Sequence, residues 1–559
     1  MNGRTVKLDL TGVLAVARAW ASQDPDASTR HELVTAIDAA ATGDGAAVRE
    51  LAARFEGRLQ FGTAGLRAEL GYGPLRMNRV VVTQAAAGLA RFLIDTGRRR
   101  SVVIGYDGRV NSDVFARDSA EVMRGLGLDV TLLPSALPTP VLAFAVRHLD
   151  VGAGVMVTAS HNPPRDNGYK VYLGEDDDGS QIVPPVDGAI AAAIDDVAAG
   201  DVRDLVRATD YAVAGNALVQ AYVDATAATV PAPRLPVDAQ PKVVYTAMHG
   251  VGWETARAVF EAAGFAVPST VPEQIEPDGA FPTVSFPNPE EPGAMDLSIA
   301  RGVAVGADLV IANDPDADRL ALAIPDGAGS FRRLSGNEVG WLLGWRAAVQ
   351  ASAAGRAGTL AASIVSSPAL ARVAARHGLE YRDTLTGFKW VSRVPGLLFG
   401  YEEALGYLVD PDVVRDKDGI SAALSLLSLA SDLAASGSTI ADQLDAFAAE
   451  FGAFASGQVA TRVDDLSRIG SIMASLRSSP PESLGGVEVL TATDYLDGVA
   501  GFPPSDILRY DLAGDARVIV RPSGTEPKVK VYIDTVASTP AEAQSLVDTL
   551  AAAVRPLVS

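Results

Sequence analysis

The sequence contains no cysteine among its 559 residues. Disulfide bonds and thiolate metal sites are therefore excluded. The first twelve residues, MNGRTVKLDLTG, lack the apolar run of a secretory signal. The longest helix-like apolar stretch, 420–430, is interrupted by serines. It is also shorter than the ~20 residues that cross a bilayer. These absences predict a cytoplasmic protein that does not enter a membrane.

Positive charge is also scarce, because 47 Lys and Arg face 68 Asp and Glu, for a net charge of −21. A field of that sign repels nucleic acid and anionic membrane surfaces, so neither is an expected partner. An anionic small molecule would have to be met by cations gathered locally. Apolar residues make up 48% of the chain and charged residues 21%, which indicates a globular protein. At ~100–200 residues per domain, the length predicts three to five domains.

One pattern recurs along the chain: an apolar strand, a loop rich in Gly, Pro or polar residues, and a helix-like segment. It occurs at 102–109, 153–163, 242–252, 307–320, 359–368 and 396–406. Strands that alternate with helices predict parallel sheets in α/β units, which bind ligands at the carboxyl ends of their strands. Changes in pattern near 205–240, 325–335 and 450–460 predict four domains, at 1–215, 216–328, 329–455 and 456–559.

The loop TASHNPP places Ser160 just after a predicted strand. A free serine is a poor nucleophile and needs a base or a metal to activate it. His161 and Lys170 are the nearby candidates, and Lys170 is the preferred general acid and base if neighbouring positive charge lowers its pKa. The alternative is a capped turn, since Ser, His and Asn all bond readily to local backbone.

The loop NDPDADR carries Asp314, Asp316 and Asp318 at alternate positions. In an extended loop these carboxylates point to one side, where they repel one another unless a cation lies between them. Magnesium binds few carboxylates and keeps room for a phosphate oxygen. A calcium loop fits less well, because Arg319 stands where that motif has glycine and its later Glu is missing. A solvated acidic turn is the remaining alternative.

Two further loops carry groups that can bind a sugar or a phosphate. The segment 400–406, GYEEALG, offers carboxylates that can accept hydrogen bonds from sugar hydroxyls, but on its own it is better explained as a solvated loop. The segment 521–528, RPSGTEPK, combines an Arg, hydroxyls and a Gly between two predicted strands. Arg binds phosphate bidentately, and amides around a Gly form an anion-binding nest. An ordinary turn between strands is the alternative for this segment.

Together, TASHNPPRDNGYKVY, NDPDADRL, GYEEALGY and RPSGTEPKVKVY resemble the α-D-phosphohexomutases, which include phosphoglucomutase and phosphomannomutase. FGTAGLR, GFKW and the doubled Glu resemble the branch of phosphoglucomutase-2-like and phosphopentomutase-type enzymes. The resemblance spans residues 61–532. It implies an α/β fold of four domains around a central cleft, three of them similar mixed-sheet α/β domains and the fourth a smaller C-terminal α+β domain.

The resemblance also implies the roles of individual residues. Ser160 would carry the phosphoryl group, and it would bind Mg²⁺ together with Asp314, Asp316 and Asp318. Arg67, His161 and Lys170 would lie near the reacting group. The implied substrate-binding residues are Arg319, Gly387, Phe388, Lys389, Glu402, Lys417, Arg521, Ser523, Gly524 and Thr525. A sugar 1,6-bisphosphate would be both activator and intermediate.

The expected activity is interconversion of a sugar 1-phosphate and 6-phosphate, with glucose as the first choice of sugar. Ala404 stands where many relatives have a serine that contacts the sugar, which leaves mannose and pentose substrates open. A non-catalytic sugar-phosphate-binding protein is the alternative outside the enzymes. The only partner expected is the phosphosugar, and the chain would be a monomer or a small homo-oligomer.

Overall fold

A computed structural model describes residues 10–463, 467–499, 501–523 and 528–558. The chain divides into two compact units. The first comprises Met1–Arg333 and Gly406–Asp432, and the second comprises Leu334–Leu405 and Leu433–Ser559. Residues 406–432 thus belong to the first unit, although the segments on either side of them belong to the second.

Three helices open the first unit: α1 (Leu10–Gln23), α2 (Ala27–Ala41) and α3 (Gly45–Phe55). The side chains of Asp26 and Asp44 accept hydrogen bonds from the first free N–H groups of α2 and α3, respectively. Apolar side chains such as Leu33 and Leu51 join the core of the first sheet. The recurring sequence pattern does not predict these helices.

The next segment builds a six-stranded sheet. Its elements are β1 (Leu66–Glu69), α4 (Arg79–Asp95), β2 (Ser101–Tyr106), α5 (Ser112–Gly125), β3 (Asp129–Leu132), α6 (Thr139–His148), β4 (Ala153–Val157), β5 (Asp166–Leu173), α7 (Val186–Ala198) and β6 (Ala212–Val213). The strand order is β1-β5-β4-β2-β3-β6. β2 is parallel to β3 and β4, as predicted, whereas β5 is antiparallel to β4 and β1. A loop without a crossover helix joins β4 to β5, and such a connection gives antiparallel strands.

The second sheet repeats this design. Its elements are α8 (Asn216–Ala227), β7 (Val243–Thr246), α9 (Gly252–Ala262), β8 (Ser269–Thr270), α10 (Asp296–Val305), β9 (Leu309–Asn313), β10 (Leu320–Pro325) and β11 (Phe331–Arg333). The strand order is β11-β10-β9-β7-β8. β7 and β9 are parallel, and β9 turns directly into antiparallel β10. In both sheets, therefore, one hairpin loop follows a buried central strand.

The second unit begins with α11 (Gly336–Ala353), β12 (Thr359–Ser363), α12 (Ala369–Arg376), β13 (Glu380–Thr384), α13 (Phe388–Val391) and β14 (Leu397–Glu402). β12 is parallel to both β13 and β14. Next come β15 (Gly406–Leu408) and α14 (Gly419–Ala435), and their residues up to Asp432 belong to the first unit. There Gly406 forms an isolated bridge with Arg319.

The rest of the second unit is an antiparallel sheet with helices. Its elements are α15 (Ile440–Phe451), β16 (Ala453–Arg462), α16 (Ser467–Ser478), β17 (Ser483–Leu484), β18 (Val487–Asp494), β19 (Leu508–Leu512), β20 (Arg517–Pro522), β21 (Lys528–Ala537) and α17 (Pro540–Val554). The strand order is β16-β21-β20-β19-β18-β17. Met473 of α16 and Leu550 of α17 join its core. Three mixed or parallel α/β segments followed by an α+β segment confirm the predicted fold class.

Among the described helices, none alone has the length and apolar character of a membrane span; α14 and α15, bent by 91°, pass that test only as a pair.

Candidate active site

Ser160 lies in the hairpin loop that joins β4 to β5. Its backbone has φ 51°, the left-handed region, which costs a residue with a Cβ about 1 to 2 kcal/mol. The loop is tied from within: the N–H of Ser160 donates to Thr158 Oγ1 (2.8 Å), and that hydroxyl donates to Asp107 Oδ2 (2.6 Å). Ser160 is 2% exposed. Its hydroxyl is therefore held in one place by its surroundings, as a reacting group requires.

The three aspartates lie in the corresponding hairpin loop of the second sheet, between β9 and β10. All three are fully buried, and one oxygen from each lies within 4.8 Å of the others. The loop is a turn and not the predicted extended segment, because Ala317 has φ 55° and its N–H donates to the carbonyl of Asp314. The convergence predicted for Asp314, Asp316 and Asp318 is present despite this different backbone path.

The structure brings the serine and the aspartates together. Ser160 Oγ donates a 2.7 Å hydrogen bond to Asp314 Oδ2, across 154 positions of sequence. Lys170, on β5, places Nζ 2.7 Å from Asp316 Oδ2 and 2.8 Å from Asp318 Oδ2. A serine hydroxyl, three carboxylates and a cation thus share one buried site in the first unit.

The buried charged groups shift one another's pKa values. Burial raises the pKa of Asp314 well above its ordinary value, and the carboxylates of Asp316 and Asp318 raise it further. Burial acts the same way on Asp316, but pairing with Lys170 outweighs it and lowers the pKa of Asp316. Burial alone would lower the pKa of Lys170, yet the two carboxylates raise it. A general acid and base needs a lowered pKa at Lys170, whereas its nearest neighbours in this structure are anions that have the opposite effect. The acid–base role of Lys170 stays a prediction.

The aspartate site fits a divalent cation. Within the described chain, the buried atoms Asp316 Oδ1 and Asp318 Oδ1 accept no hydrogen bond. Buried carboxylate oxygens without partners are costly unless a cation meets them. Oxygen-only ligands are those that Mg²⁺ prefers, and the sequence has no cysteine to supply a thiolate. These residues therefore suit magnesium.

His161 lies beside Ser160, with Nδ1 3.2 Å from Ser160 Oγ and 4.0 Å from Asp314 Oδ2. Burial, followed by the positive charges of Arg319 and Arg67, lowers the pKa of His161 well below its ordinary value. A neutral imidazole at this position can exchange a hydrogen bond with the serine hydroxyl.

Two arginines approach the site, one from strand β1 and one from the aspartate loop. Arg67, on β1, pairs in register with Gly168 of β5, and its Nη1 donates to Asn162 Oδ1 at 2.9 Å. Arg319 follows the aspartates directly, and its Nε lies 3.7 Å from Asp318 Oδ1 and 3.9 Å from Asp314 Oδ2. Their charges offset part of the negative charge of the carboxylates.

Lys417 reaches the same site from residues 406–432. Its Nζ lies 3.2 Å from Asp318 Oδ2 and 3.4 Å from Asp416 Oδ1. Asp416 is held in turn by the hydroxyl of Tyr172 (2.8 Å) and the amide of Gln181 (2.6 Å). The substrate-binding role of Lys417 stays a prediction, and its observed partners are carboxylates.

The second unit holds the other predicted residues. Glu402, at the end of β14, accepts a 2.6 Å hydrogen bond from the N–H of Gly387. Gly387 immediately precedes α13, which contains Phe388 and Lys389, and the Phe388 ring is buried. The loops of Glu402 and Gly387 are thus joined, whereas their contact with a sugar stays a prediction.

A cavity of about 340 Å³ in the second unit is lined by Arg521 and Ser523 together with Thr386 and Trp390. The predicted phosphate loop and the loop that contains Gly387 therefore lie next to each other around this cavity. Gly524 and Thr525, also predicted to bind phosphate, lie outside the described residues.

Sequence reasoning missed several residues that support the site. Thr139, the first residue of α6, donates a hydrogen bond to Asp316. Asp107 and Arg109 form hydrogen bonds with the Ser160 loop. Asp107 and Arg109 follow β2 directly, so the rule that functional loops follow strands contained the signal for them. Thr139 precedes a helix and carried no such signal.

Comparisons with known proteins agree with this geometry. Models of phosphoglucomutase/phosphomannomutase alpha/beta/alpha domains I, II and III match residues 58–200, 220–327 and 335–451, and the model of the C-terminal domain matches 487–553. A Haemophilus influenzae protein named "Probable phosphomannomutase" is 54% identical over 467 residues, which cover 84% of this chain and 94% of the relative.

Two other matches extend the comparison. A Mus musculus protein named "Phosphopentomutase" is 35% identical over 538 residues, with 87% of this chain and 85% of the relative covered. A crystal structure of a phosphoglucomutase/phosphomannomutase family protein from Burkholderia thailandensis has a TM-score of 0.68 at 21% identity. It covers 90% of this chain and 98% of its own, which shows the shared fold.

Proposed function

This chain belongs to the phosphoglucomutase/phosphomannomutase family of mutases, which are intramolecular phosphotransferases, and on that premise we propose that it moves a phosphoryl group between the 1- and 6-hydroxyls of a hexose through Ser160. The observation that carries the proposal is the 2.7 Å hydrogen bond from Ser160 Oγ to Asp314 Oδ2. It places the hydroxyl that would hold the phosphoryl group against a buried carboxylate cluster with the chemistry of a cation site.

Asp314, Asp316 and Asp318 would hold the magnesium ion, together with an oxygen of the phosphorylated serine. Bound there, the ion supplies positive charge to the phosphoryl oxygens as the transfer proceeds. Arg319 adds fixed positive charge from the same loop, since its Nε lies within 4 Å of two of the carboxylates. Most of the catalysis in such transfers comes from positioning and from charge stabilisation.

The proposed reaction starts with the phosphoryl group on Ser160. The free hydroxyl oxygen of the sugar phosphate forms a bond to phosphorus while the bond from phosphorus to Ser160 Oγ breaks. The hydroxyl proton passes to a neighbouring base, which gives it to Ser160 Oγ as that oxygen leaves phosphorus, and the product is a sugar bisphosphate. This intermediate turns end for end and returns its other phosphoryl group to Ser160, so that one site serves both half-reactions.

His161 and Lys170 are the two candidates to accept and return the proton. His161 lies 3.2 Å from Ser160 Oγ, and its ring nitrogen can accept a proton because its lowered pKa keeps the imidazole neutral. The same lowering weakens it as a base, so the assignment rests on its position. Lys170 is paired with Asp316 and Asp318, which suits a cation that stabilises charge. On this geometry we assign the proton transfer to His161 and the electrostatic role to Lys170, in place of the preference for Lys170 drawn from sequence.

We propose glucose as the hexose, on the resemblance of FGTAGLR, GFKW and GYEEALGY to the phosphoglucomutase-2-like branch. Mannose is the second candidate, since the relative with 54% identity is named for it. A pentose is the third, supported by the phosphopentomutase relative and by Ala404, which offers a sugar no hydroxyl. Glu402 and Arg521 are the residues proposed to contact the sugar and its existing phosphate, respectively.

The test combines one substitution with a substrate panel. Ser160→Ala should remove mutase activity on glucose, mannose and ribose 1-phosphates, and intact mass should show that only the wild type gains a phosphoryl group from a sugar 1,6-bisphosphate. Activity of Ser160→Ala at the wild-type level would refute the mechanism. The ranking of kcat/KM across the three wild-type substrates decides the sugar.

A further inference from the structure

We propose that Arg109 is a positioning residue that sets the shape of the Ser160 loop for phosphoryl transfer. The inference rests on the proposed function, because it concerns the same serine. Arg109 follows β2, lies outside every motif that carries the family resemblance, and touches neither the serine hydroxyl nor the aspartate cluster through a hydrogen bond.

The guanidinium group of Arg109 donates hydrogen bonds to several backbone carbonyls of the Ser160 loop. Nη2 donates to the carbonyl oxygens of Ser160 and Asn162, both at 2.6 Å. Nη1 donates to the carbonyl oxygens of Pro163 and Asp166, at 2.8 Å and 3.0 Å. Each terminal nitrogen thus donates twice, so one side chain fixes three peptide carbonyls of the loop between β4 and β5 and a fourth at the first residue of β5.

The first of these bonds acts on the nucleophile itself. Ser160 has the left-handed backbone conformation, and Arg109 holds its carbonyl oxygen while Thr158 holds its N–H. The direction in which the Ser160 side chain leaves the backbone is therefore fixed by restraints on both sides of its Cα. Without them the loop is free to relax toward the conformations that a residue with a Cβ prefers.

The Arg109 side chain is itself restrained, by burial and by a neighbouring carboxylate. Its side chain is 1% exposed, and its Nε lies 3.6 Å from Asp107 Oδ2. The same carboxylate accepts hydrogen bonds from Thr158 Oγ1 and, through its other oxygen, from the N–H of Arg109 and from Ser112 Oγ. Asp107 therefore fixes the start of the loop directly and the rest of it through Arg109.

A second restraint comes from the loop between β8 and α10. The ring of Phe281 lies over the guanidinium, with its centroid 4.9 Å from Arg109 Cζ, and is 3% exposed. Such a cation–π contact suits Arg, because its planar cation can stack while its edge donates hydrogen bonds. Lys cannot replace this arrangement, since one ammonium group has three donors and no plane.

A positioning role differs from general stabilisation in what it does to the reaction. Misplacement of a reacting atom by about 1 Å slows transfer by roughly 100-fold and leaves substrate binding nearly intact. The test is therefore single-turnover phosphorylation of Ser160. Dephosphorylated wild type, Arg109→Lys and Arg79→Lys are mixed with glucose 1,6-bisphosphate and Mg²⁺, and phosphoryl uptake is followed by quenching and intact mass.

Arg79→Lys is the matched control. Arg79 donates to both oxygens of the buried carboxylate of Asp118, at 2.6 Å and 2.8 Å, in the same unit but away from the Ser160 loop. We expect Arg109→Lys to lower the saturating rate by about 30-fold or more, with the half-saturating bisphosphate concentration within about 3-fold of wild type. Arg79→Lys should keep both values within about 3-fold, at a comparable loss of thermal stability.

Three outcomes would overturn the inference. One is a wild-type rate in Arg109→Lys, and another is an equal loss of rate in Arg79→Lys. A wild type that takes up no phosphoryl group overturns the proposed function itself and the inference with it. If Arg109→Lys does not fold, Phe281→Leu decides: a lowered rate with unchanged half-saturation supports the inference, and a wild-type rate refutes it.

Discussion

Thr139 and Asp316 are joined by two hydrogen bonds: Thr139 Oγ1 donates to Asp316 Oδ2 at 2.6 Å, and the N–H of Thr139 donates to the carbonyl oxygen of Asp316 at 2.9 Å. Thr139 is the first residue of α6 in the first sheet, whereas Asp316 belongs to the aspartate loop of the second. These two hydrogen bonds fix both the backbone and the carboxylate plane of Asp316. It leaves Oδ1 of that carboxylate available to a cation.

Thr139→Val should weaken magnesium activation. The substitution keeps the shape of the side chain and removes the donor that orients Asp316, and the loss of such an orienting bond costs about 10-fold in metal affinity. The measurement is the Mg²⁺ concentration that gives half-maximal mutase activity. Thr139→Ser retains the hydroxyl and should behave as wild type; equal weakening in both variants would contradict the argument.

Lys170→Met should have the opposite effect on the metal. The ammonium group of Lys170 contacts Asp316 Oδ2 and Asp318 Oδ2, so it competes with a cation for two of the three carboxylates. Its removal should lower the half-saturating Mg²⁺ concentration by about 3-fold or more while kcat falls, because a fixed positive charge is lost. Lys242→Met, at an exposed lysine, is the control. A higher Mg²⁺ requirement in Lys170→Met would show that the lysine supports the metal.

Gly65→Ala should destabilise the first unit. Gly65 has φ 75°, and an added Cβ would lie 1.8 Å from the carbonyl oxygen of Tyr169 on β5. The backbone strain and the overlap together predict a loss of about 3 kcal/mol in the free energy of unfolding. Gly97 has nearly the same φ, 72°, with nothing near its added Cβ. Gly97→Ala should therefore cost about 1 kcal/mol, and equal losses in urea unfolding would exclude the close approach as the cause.

Asp418→Asn should change how stability depends on pH. Burial raises the pKa of Asp418 to about 6 in the folded protein, above its ordinary value of 3.8. The folded state then binds more protons than the unfolded state between these values, so this group makes stability fall as pH rises through that window. From pH 5 to pH 7, Asp418 lowers the free energy of unfolding by about 1 kcal/mol.

Asn keeps the functions of Asp418 that do not depend on charge. The carboxylate caps α14 at the N–H groups of Ile420 and Ser421, and Asn caps a helix equally well. The free energy of unfolding of wild type relative to Asp418→Asn should therefore drop by about 1 kcal/mol from pH 5 to pH 7. Asp44→Asn, at the exposed cap of α3, controls for the substitution. A constant difference between wild type and Asp418→Asn would rule out the raised pKa.

The sequence was most informative where strands end in unusual loops. Ser160 and the aspartates each follow an apolar strand, and both β4 and β9 are fully buried, as those apolar runs predict. Alternation of strands and helices also predicted the parallel central strands. It did not predict the antiparallel β5 and β10, because their direction depends on the length of the preceding loop and not on strand composition.

Contacts between segments distant in sequence could not be predicted from the sequence patterns. Nothing in the residues near Lys417 indicates that it pairs with Asp318, because that contact depends on where 406–432 packs. The raised pKa of Lys170 could not be predicted either, for the same reason. Cations were visible in the neighbouring motifs, whereas the carboxylates that contact its ammonium group lie about 146 positions away.

The placement of 406–432 in the first unit has a consequence for how the protein is made. Tyr222 donates to Asp418, Gly419 donates to the carbonyl oxygen of Ala317, and Lys417 pairs with Asp318. A nascent chain that has emerged only as far as Arg333 lacks all of these partners. Lys417 follows Arg333 by 84 residues, so the aspartate loop lacks this cation until they have been synthesised. A gene fragment that stops at Arg333 therefore encodes the aspartate site without Lys417.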